Sequence, residues 1–558
     1  MNFQITKFRL RYLVEVLTVA ALCSFFFFYR LGSFGLVGAD EPRYAQIARE
    51  MIQRNDFITP TLHGEPWLEK PALYYWRATA AFRTFGVEDW SARLPSATFA
   101  FALVLIIYFH MRRFRSGAQM DAALITASAA AIIGFARGAS TDMQLAAPFA
   151  IAMLGWYAWY ETGSKFWLFD LYFFLAVGTL AKGPVAPGLA FIIVILFAGL
   201  RRDWKLVLRT LWLPGILTYF VVVLPWFVMV QLKNPNFLHV FFLEHNLERF
   251  TTNTFHHNYP FWYYLPVWIL SLLPWTVYGG AALIETIRET WQDWRSSAPG
   301  RARESVFLGD SFSEFLVIWA VVPILFFSIS LSKLPGYILP AIPPCTILIA
   351  DYLQKRRGHP VNSSLLGAHS VVVGTLAAAI SLLPYLVLEP KHLPPAHNLW
   401  IAAIIGATIA SVIFVLVKVQ GYHALRFVTM LPVILIAFFL LRNVAWVIDS
   451  AYSSRPAARY LAKIEADNLK PAFRPTAVFD VRRDVEYGLG FYRDEKVSSY
   501  DRGEVPKSEH LLVAHEGEHD ELKKLLPGRY FVSFGAPGPV NPQHLEVFWV
   551  SSSAASGK

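Results

Sequence analysis

Glu69 and Lys70 stand side by side in "GEPWLEKPALYYWRA" (64–78), between Trp67 and Pro71 and just ahead of Tyr74, Tyr75 and Trp76. A carboxylate beside an ammonium, among rings and in a largely apolar chain, needs a physical reason. Other ionisable residues recur in the polar segments between apolar runs: Asp40, Glu41, Arg43, Arg137, Asp142, Lys182, Arg249, His256, His257 and Lys333. Each has an ordinary reading. Asp40, Glu41 and Asp142 suit helix N-termini. Lys182 and Lys333 could snorkel to an interface. Arg249 could pair with Glu244 or Glu248, and the two histidines could be interfacial. Taken together they suggest chemistry. Several cations in one place suit an anionic phosphate, and carboxylates beside them suit sugar chemistry or a metal. Glu69 with His256 or His257 offers oxygen and nitrogen donors to a divalent ion, although their long separation in sequence makes no local zinc motif.

The elements that must position these residues are membrane helices. The chain has 558 residues, of which 55% are hydrophobic, 16% aromatic and 16% charged. A soluble domain carries about 25% charged residues. Apolar runs of spanning length number about thirteen, at roughly 20 residues per span. They centre near residues 20, 100, 129, 152, 174, 191, 219, 272, 322, 344, 377, 408 and 436. Their length and continuity predict helices and exclude barrel strands. The first run, 13–29, lacks a small-x-small cleavage site and is read as an uncleaved span. The run 72–86 is broken by Arg77 and Arg83 and predicts an amphipathic helix at the interface. Cys23 and Cys345 fall in apolar runs, so they are expected to pack without forming a disulfide.

The net charge of +10 follows from basic loops. "KFRLR", "RRFR" (112–115), "RRDWK" (201–205), "RETWQDWRSSAPGRARE" and "QKRR" (354–357) share one face if the N-terminus is cytoplasmic. An odd number of spans then puts the C-terminus outside. No zinc-finger or RNA-binding motif accompanies the charge, so no nucleic-acid partner is expected. The outer segments 32–90, 137–142 and 232–260 carry the ionisable residues above. Ala45, Ile47, Ala48 and Met51 predict a short amphipathic helix that starts near Asp40.

From residue 450 onward charges become frequent and apolar runs shorten. "PTAVFDV", "HLLVAH", "RYFVSFG" and "LEVFWV" read as strands, and "RPAARYLAKIEADNL" reads as a helix. The expected organisation is a polytopic helical membrane domain, 1–449, followed by a soluble α/β domain, 450–558, on the outer face.

"DEPRYAQIAREM", "WLEKPALYYW", "LAKGP", "EHNLERF", "HHNYPFWYY" and "SKLPGYILP" together resemble the bacterial branch of the protein O-mannosyltransferase superfamily. These are polytopic glycosyltransferases of the GT-C class, and the lipid A aminoarabinose transferases are the nearest well-understood members. The resemblance covers about residues 10–350 and the layout of a membrane domain followed by a periplasmic one. It implies that Asp40 is the catalytic carboxylate and that Asp142 is the second acidic loop position. It places Lys70 at the donor phosphate and Arg43 and Tyr44 on a loop helix facing the donor. Lys182 and Arg249 become basic positions near the lipid phosphate. Glu69 with His256 or His257 becomes a divalent-metal site, with zinc the expected ion. Tyr74, Tyr75, Lys333 and Tyr337 are taken as further groove residues. The chain departs from the pattern at Ala72, where many relatives have a second proline, and in the doubled histidine of "HHNYPFWYY".

The implied activity is an inverting sugar transfer at the periplasmic face of the bacterial inner membrane. The donor is a sugar on undecaprenyl phosphate, foremost 4-amino-4-deoxy-L-arabinose, and the acceptor is lipid A phosphate or another glycolipid. One alternative is a sibling transferase that moves mannose, another hexose or a uronic acid to lipopolysaccharide core, another glycan or protein. Alternatives of other classes are a lipid transporter or flippase and a non-catalytic lipid-binding scaffold. Transporter sites lie near the bilayer midplane, whereas these charges gather at one face and the chain shows no matching halves. Intact Asp40 and Lys70 argue against the scaffold.

Overall fold

The computed structural model describes residues 2–248, 259–296, 311–388, 394–468, 474–538 and 540–552. Arg249, His256 and His257 lie outside these residues. The first half of the chain is helical: α1 (Asn2–Phe28), α2 (Asp40–Arg54), α3 (Leu73–Phe85), α4 (Asp89–Phe114), α5 (Gln119–Ser128), α6 (Ala130–Ala136), α7 (Asp142–Thr162), α8 (Lys165–Lys182), α9 (Val185–Leu200), α10 (Lys205–Thr210) and α11 (Leu213–Lys233). Further long helices run over Thr276–Ser296, Ser311–Ile329, Ile342–Lys355, Ser363–Leu388, Ala396–Gln420 and Tyr422–Phe439. Among the described residues, eight helices are long and apolar enough to cross a membrane, or ten if each of two bent pairs is one crossing. The chain is therefore a multi-pass membrane protein. The expected centres at 152, 174 and 191 fall in α7, α8 and α9.

Two expected centres, 129 and 272, fall on breaks rather than within straight helices. The α5–α6 pair bends by 62°, and the pair Phe261–Ser271 and Thr276–Gln292 bends by 119°. Backbone freed from a helix at membrane depth needs another partner, and here the two breaks supply each other. The Ala130 amide donates to the Leu273 carbonyl at 2.9 Å, and Trp275 Nε1 donates to Ser128 Oγ at 2.8 Å. Close helix approach is also direct between Ser363–Leu388 and Ala396–Gln420. A Cβ on Gly374 would meet the Gly406 carbonyl oxygen at 2.3 Å, so only glycine fits there.

Three of the basic segments, 112–115, 201–205 and 354–357, gather at one end of the bundle through ion pairs: Arg115 with Glu161, Arg201 with Glu314, Arg356 with Glu285, and Arg357, with Arg426, on Asp121. The other end carries α2, α3 and the C-terminal domain. The length of α4 separates the two ends, roughly 39 Å at the usual helical rise. Cys23 and Cys345 are buried and unpaired, as expected.

The C-terminal domain is built on β3 (Thr476–Phe479), β4 (Ser498–Ser499), β5 (His510–His515), β6 (Phe531–Gly535) and β7 (Leu545–Val550), in the order β4-β3-β5-β7-β6. A two-residue hairpin, β1 (Thr61–Leu62) with β2 (Glu65–Pro66), precedes α3. β3 pairs in parallel with both β4 and β5, and β7 runs antiparallel between β5 and β6. The four expected strands and the helix Arg455–Asn468 are all present. The helix Arg483–Arg493, whose charges obscure its apolar face, is an addition.

That helix docks the domain onto the membrane part. Tyr492 Oη donates to Asp89 at 2.6 Å and accepts the Leu36 amide at 2.7 Å. Arg455 bridges Asp89 and Asp449, both at 2.7 Å. Arg49 of α2 donates to the Phe491 carbonyl at 2.7 Å and pairs with Asp494 at 3.1 Å.

Candidate active site

The adjacent carboxylates at the start of α2 have opposite roles. Neither caps the helix through its side chain: Ala39 is the N-cap residue and makes no side-chain cap bond. Glu41 turns inward. One oxygen accepts the Val37 amide at 2.9 Å and Arg93 at 2.7 Å, and the other accepts the Ala139 amide at 2.8 Å. Arg93 also donates to the carbonyls of Leu31, Phe34 and Gly35, at 3.0, 2.9 and 2.7 Å. Asp40 turns outward, pairs with Arg43, and keeps 54% of its side chain exposed.

Arg43 is buried under rings. Its guanidinium carbon lies 4.8 Å from the Trp67 ring centre, 5.4 Å from that of Tyr44 and 5.5 Å from that of Tyr487. Such contacts favour a desolvated cation. Burial alone would lower the Arg43 pKa. The acidic groups around it outweigh this, and the Asp40 and Glu69 carboxylates hold the guanidinium charged. Tyr44, Tyr74 and Tyr75 form a buried triad with ring centres 5.9 to 6.0 Å apart. Burial pushes all three phenols well up, so they remain neutral. Tyr74 Oη donates to the Ala92 carbonyl at 2.9 Å. Three polar groups in this cluster are buried without a hydrogen-bond partner: Arg43 Nε, Trp67 Nε1 and Tyr75 Oη.

The β1–β2 hairpin sets the position of Glu69 and Lys70. Its turn residues, His63 and Gly64, have φ of +54° and +83°, the left-handed pair a two-residue hairpin favours. Glu50 of α2 pins this turn by accepting Thr61 Oγ1 at 2.8 Å and the His63 and Gly64 amides at 2.7 and 3.1 Å. Beyond the hairpin, Ala72 and Leu68 pack against Leu180 of α8 and Trp226 of α11. Glu69 and Lys70 are thus held between α2 and the end of α8, both half-buried, with Lys70 Nζ 3.4 Å from the Glu69 carbonyl.

A second cluster forms where α7 begins and α8 ends. Asp142, the first residue of α7, pairs with Lys182, the last of α8. Lys182 Nζ also lies 4.9 Å from the Tyr337 ring centre. Gly336 admits this arrangement, because a Cβ there would stand 2.7 Å from the Asp142 carboxylate. Lys333 is buried and donates to the Ser330 carbonyl at 2.5 Å. The Ala139–Glu41 bond joins the two clusters through the loop ahead of α7. Arg137 caps α1, donating to the Phe26, Tyr29 and Arg30 carbonyls at 3.1, 3.1 and 2.9 Å.

The structure therefore brings Asp40, Arg43, Tyr44, Glu69, Tyr74 and Tyr75 into one cluster, and Asp142, Lys182 and Tyr337 into its neighbour. Of the expected metal set, Glu69 alone is among the described residues. Sequence reasoning did not single out Arg93 or Tyr487. Arg93 left a signal, an arginine at the edge of an apolar run. Tyr487 comes from a different domain and left none. Among the described residues, one Asp/His/Glu group could hold a metal, and it lies in the C-terminal sheet.

Comparison with known proteins agrees with this layout. The family described as dolichyl-phosphate-mannose-protein mannosyltransferase matches residues 12–241. An undecaprenyl phosphate-α-4-amino-4-deoxy-L-arabinose arabinosyl transferase of Enterobacter sp. (strain 638) is 30% identical, over 69% of this chain and 67% of its own length. The protein of the same name from Aeromonas salmonicida is 29% identical over 63% of this chain, and the chain spans only 62% of its length. The crystal structure of ArnT from Cupriavidus metallidurans bound to undecaprenyl phosphate superposes with a TM-score of 0.73. That match has 23% identity and covers 97% of this chain and 99% of the other, which establishes the shared fold. The chain belongs to the bacterial undecaprenyl phosphate-aminoarabinose arabinosyl transferase family of the protein mannosyltransferase superfamily.

Proposed function

We propose that this protein transfers 4-amino-4-deoxy-L-arabinose from undecaprenyl phosphate to a lipid acceptor, foremost a phosphate of lipid A. The observation that carries the reading is the set of buried, unpartnered polar groups beside Asp40: Arg43 Nε, Trp67 Nε1 and Tyr75 Oη. Buried donors without a partner are costly unless a ligand completes them. A phosphate with several acceptor oxygens would do so.

In the proposed reaction the bond from the anomeric carbon to the carrier phosphate breaks, and an acceptor oxygen bonds to the opposite face of that carbon. The departing pair stays on undecaprenyl phosphate. Arg43, Lys70, Lys182 and Arg249 stabilise this charge as it develops. A phosphate acceptor is already ionised near neutrality, so Asp40 has no proton to remove and instead stabilises positive charge on the sugar. With a hydroxyl acceptor Asp40 would serve as general base. Asp142 holds Lys182 in place. Tyr44, Tyr74 and Tyr75 form the wall behind Arg43, and Lys333 and Tyr337 border the second cluster. A divalent ion, zinc by donor type, would be held by Glu69 with His256 or His257 and would tie the two outer loops together.

The proposed setting is the bacterial inner membrane, with the N-terminus cytoplasmic and the site and C-terminus periplasmic. Residues 1–449 form the transfer domain and 450–558 its periplasmic partner. The test uses purified protein, undecaprenyl-phosphate aminoarabinose and lipid A, with mass spectrometry of the product. Wild type is expected to add the sugar and Lys70→Ala to lose at least a hundredfold in rate. No transfer by folded wild type, together with transfer from another polyprenyl-phosphate sugar, would move the assignment to a sibling enzyme.

A further inference from the structure

The C-terminal domain holds a convergence of ligands apart from the site above. Asp480, His515 and Glu518 each offer one ligand atom, and these atoms lie within 4.8 Å of one another. We propose that they form a divalent-cation site of zinc type. This inference does not rest on the transferase reading.

Topology explains why the three residues meet. From β3 the chain passes to β4 on one side and then to β5 on the other, with all three strands parallel. The carboxyl ends of β3 and β5 therefore flank a topological switch point, where open α/β sheets bind their ligands. Asp480 directly follows β3, His515 ends β5, and Glu518 precedes the helix His519–Leu525.

The surroundings orient the donors. His515 Nδ1 lies 3.1 Å from the Glu516 carbonyl, which can only accept. Nδ1 therefore carries the proton, and Nε2 keeps the lone pair a cation needs. Ligating histidines are commonly fixed by such a contact to the second nitrogen. The Asp480 amide donates to Asp501 at 3.2 Å, which anchors the backbone next to the ligand carboxylate. Imidazole nitrogen and carboxylate oxygen are both donor types that zinc accepts, and three protein ligands leave a fourth position to water. Two carboxylates also balance a double positive charge. Asp480 and His515 are exposed, so the ion should exchange with solution.

The test is a calorimetric titration of chelator-treated, full-length protein with zinc chloride. A Glu69→Gln background separates this site from any ion at the transfer site. The background protein is expected to bind zinc with a component that His515→Ala weakens at least tenfold. Asp480→Asn should do the same, while the zinc-free unfolding temperature stays unchanged in each. Should His515→Ala unfold, Asp480→Asn and Glu518→Gln decide the matter alone. Identical titrations with and without these side chains, or no binding by the background protein, would overturn the proposal.

Discussion

Arg93 and Glu41 meet at 2.7 Å with almost no solvent access, their side chains being 0% and 9% exposed. The pair joins four segments, because Arg93 also holds three loop carbonyls and Glu41 the amides of Val37 and Ala139. Removing one partner of a buried pair costs about 3–5 kcal/mol, since the other charge is stranded. Arg93→Ala is therefore expected to lower the unfolding temperature sharply and to abolish transfer. Asp40→Asn, one residue from Glu41 but exposed, should shift stability within about 0.5 kcal/mol while abolishing transfer. Thermal unfolding and the mass-spectrometric assay, run on the same preparations, check both.

Lys182 is held by Asp142 and faces Tyr337. Loss of a cation that stabilises a leaving group costs about a hundred- to a thousandfold in rate. Lys182→Ala should show that loss in kcat in protein that still folds, with a lowered unfolding temperature because Asp142 loses its partner. A full-rate Lys182→Ala enzyme would remove Lys182 from the proposed machinery.

Gly336→Ala tests the same cluster by crowding. The new methyl would stand 2.7 Å from the Asp142 carboxylate, closer than packing allows. The carboxylate must shift from Lys182 or the backbone must move. Transfer is expected to fall at least tenfold, and Gly336→Ala combined with Asp142→Ala should be no worse than Asp142→Ala alone.

His510 makes the C-terminal domain sensitive to pH. It is fully buried, with Nδ1 donating to the Ser508 carbonyl at 2.8 Å and Nε2 accepting from Tyr500 Oη at 2.5 Å. Burial holds its pKa below the ordinary histidine value, and Arg529 adds to the effect against the Ser508 bond. The unfolded chain therefore takes up the proton first as pH falls. Stability from neutral His510 is complete above about pH 6.5 and declines as pH falls from there toward the folded pKa. His510→Gln should cost about 1–3 kcal/mol at pH 7.5, and less at pH 5. Unfolding temperatures of the two proteins across this range measure the difference.

Arg455 tests the docking of the C-terminal domain. It joins Asp89 of α4 to Asp449. Arg455→Ala strands two carboxylates and should loosen the domain, with faster hydrogen exchange in α2 and in Arg483–Arg493. Exchange unchanged in both segments would show that the other contacts suffice.

The membrane part was legible because apolar run length is a direct physical requirement. Eleven of the thirteen expected centres fell in helices, and α2 and α3 appeared where amphipathic spacing and the paired arginines placed them. The bends at 129 and 272 were not legible: each run is continuously apolar, and only the bond between Ala130 and Leu273 shows how the breaks are satisfied. Within the candidate site, residue type brought Asp40, Lys70 and Lys182 forward only as candidates, and their proposed roles came from the family resemblance. Residue type could not separate Asp40 from Glu41, because two neighbouring carboxylates differ only in where the first turn of α2 aims them. Tyr487 was invisible for a related reason: its role depends on how two domains dock.

That docking has a consequence in time. Arg49 binds the carbonyl of Phe491, which follows it by 442 residues. Arg43 likewise rests against Tyr487. During synthesis α2 emerges early, yet the surface that completes it is among the last parts of the chain to be made. The first helix of the candidate site must wait, unfinished, through the insertion of nearly every span. On the proposed function, activity can begin only after the C-terminal domain has folded onto α2, and a chain truncated before residue 483 should be silent from the outset.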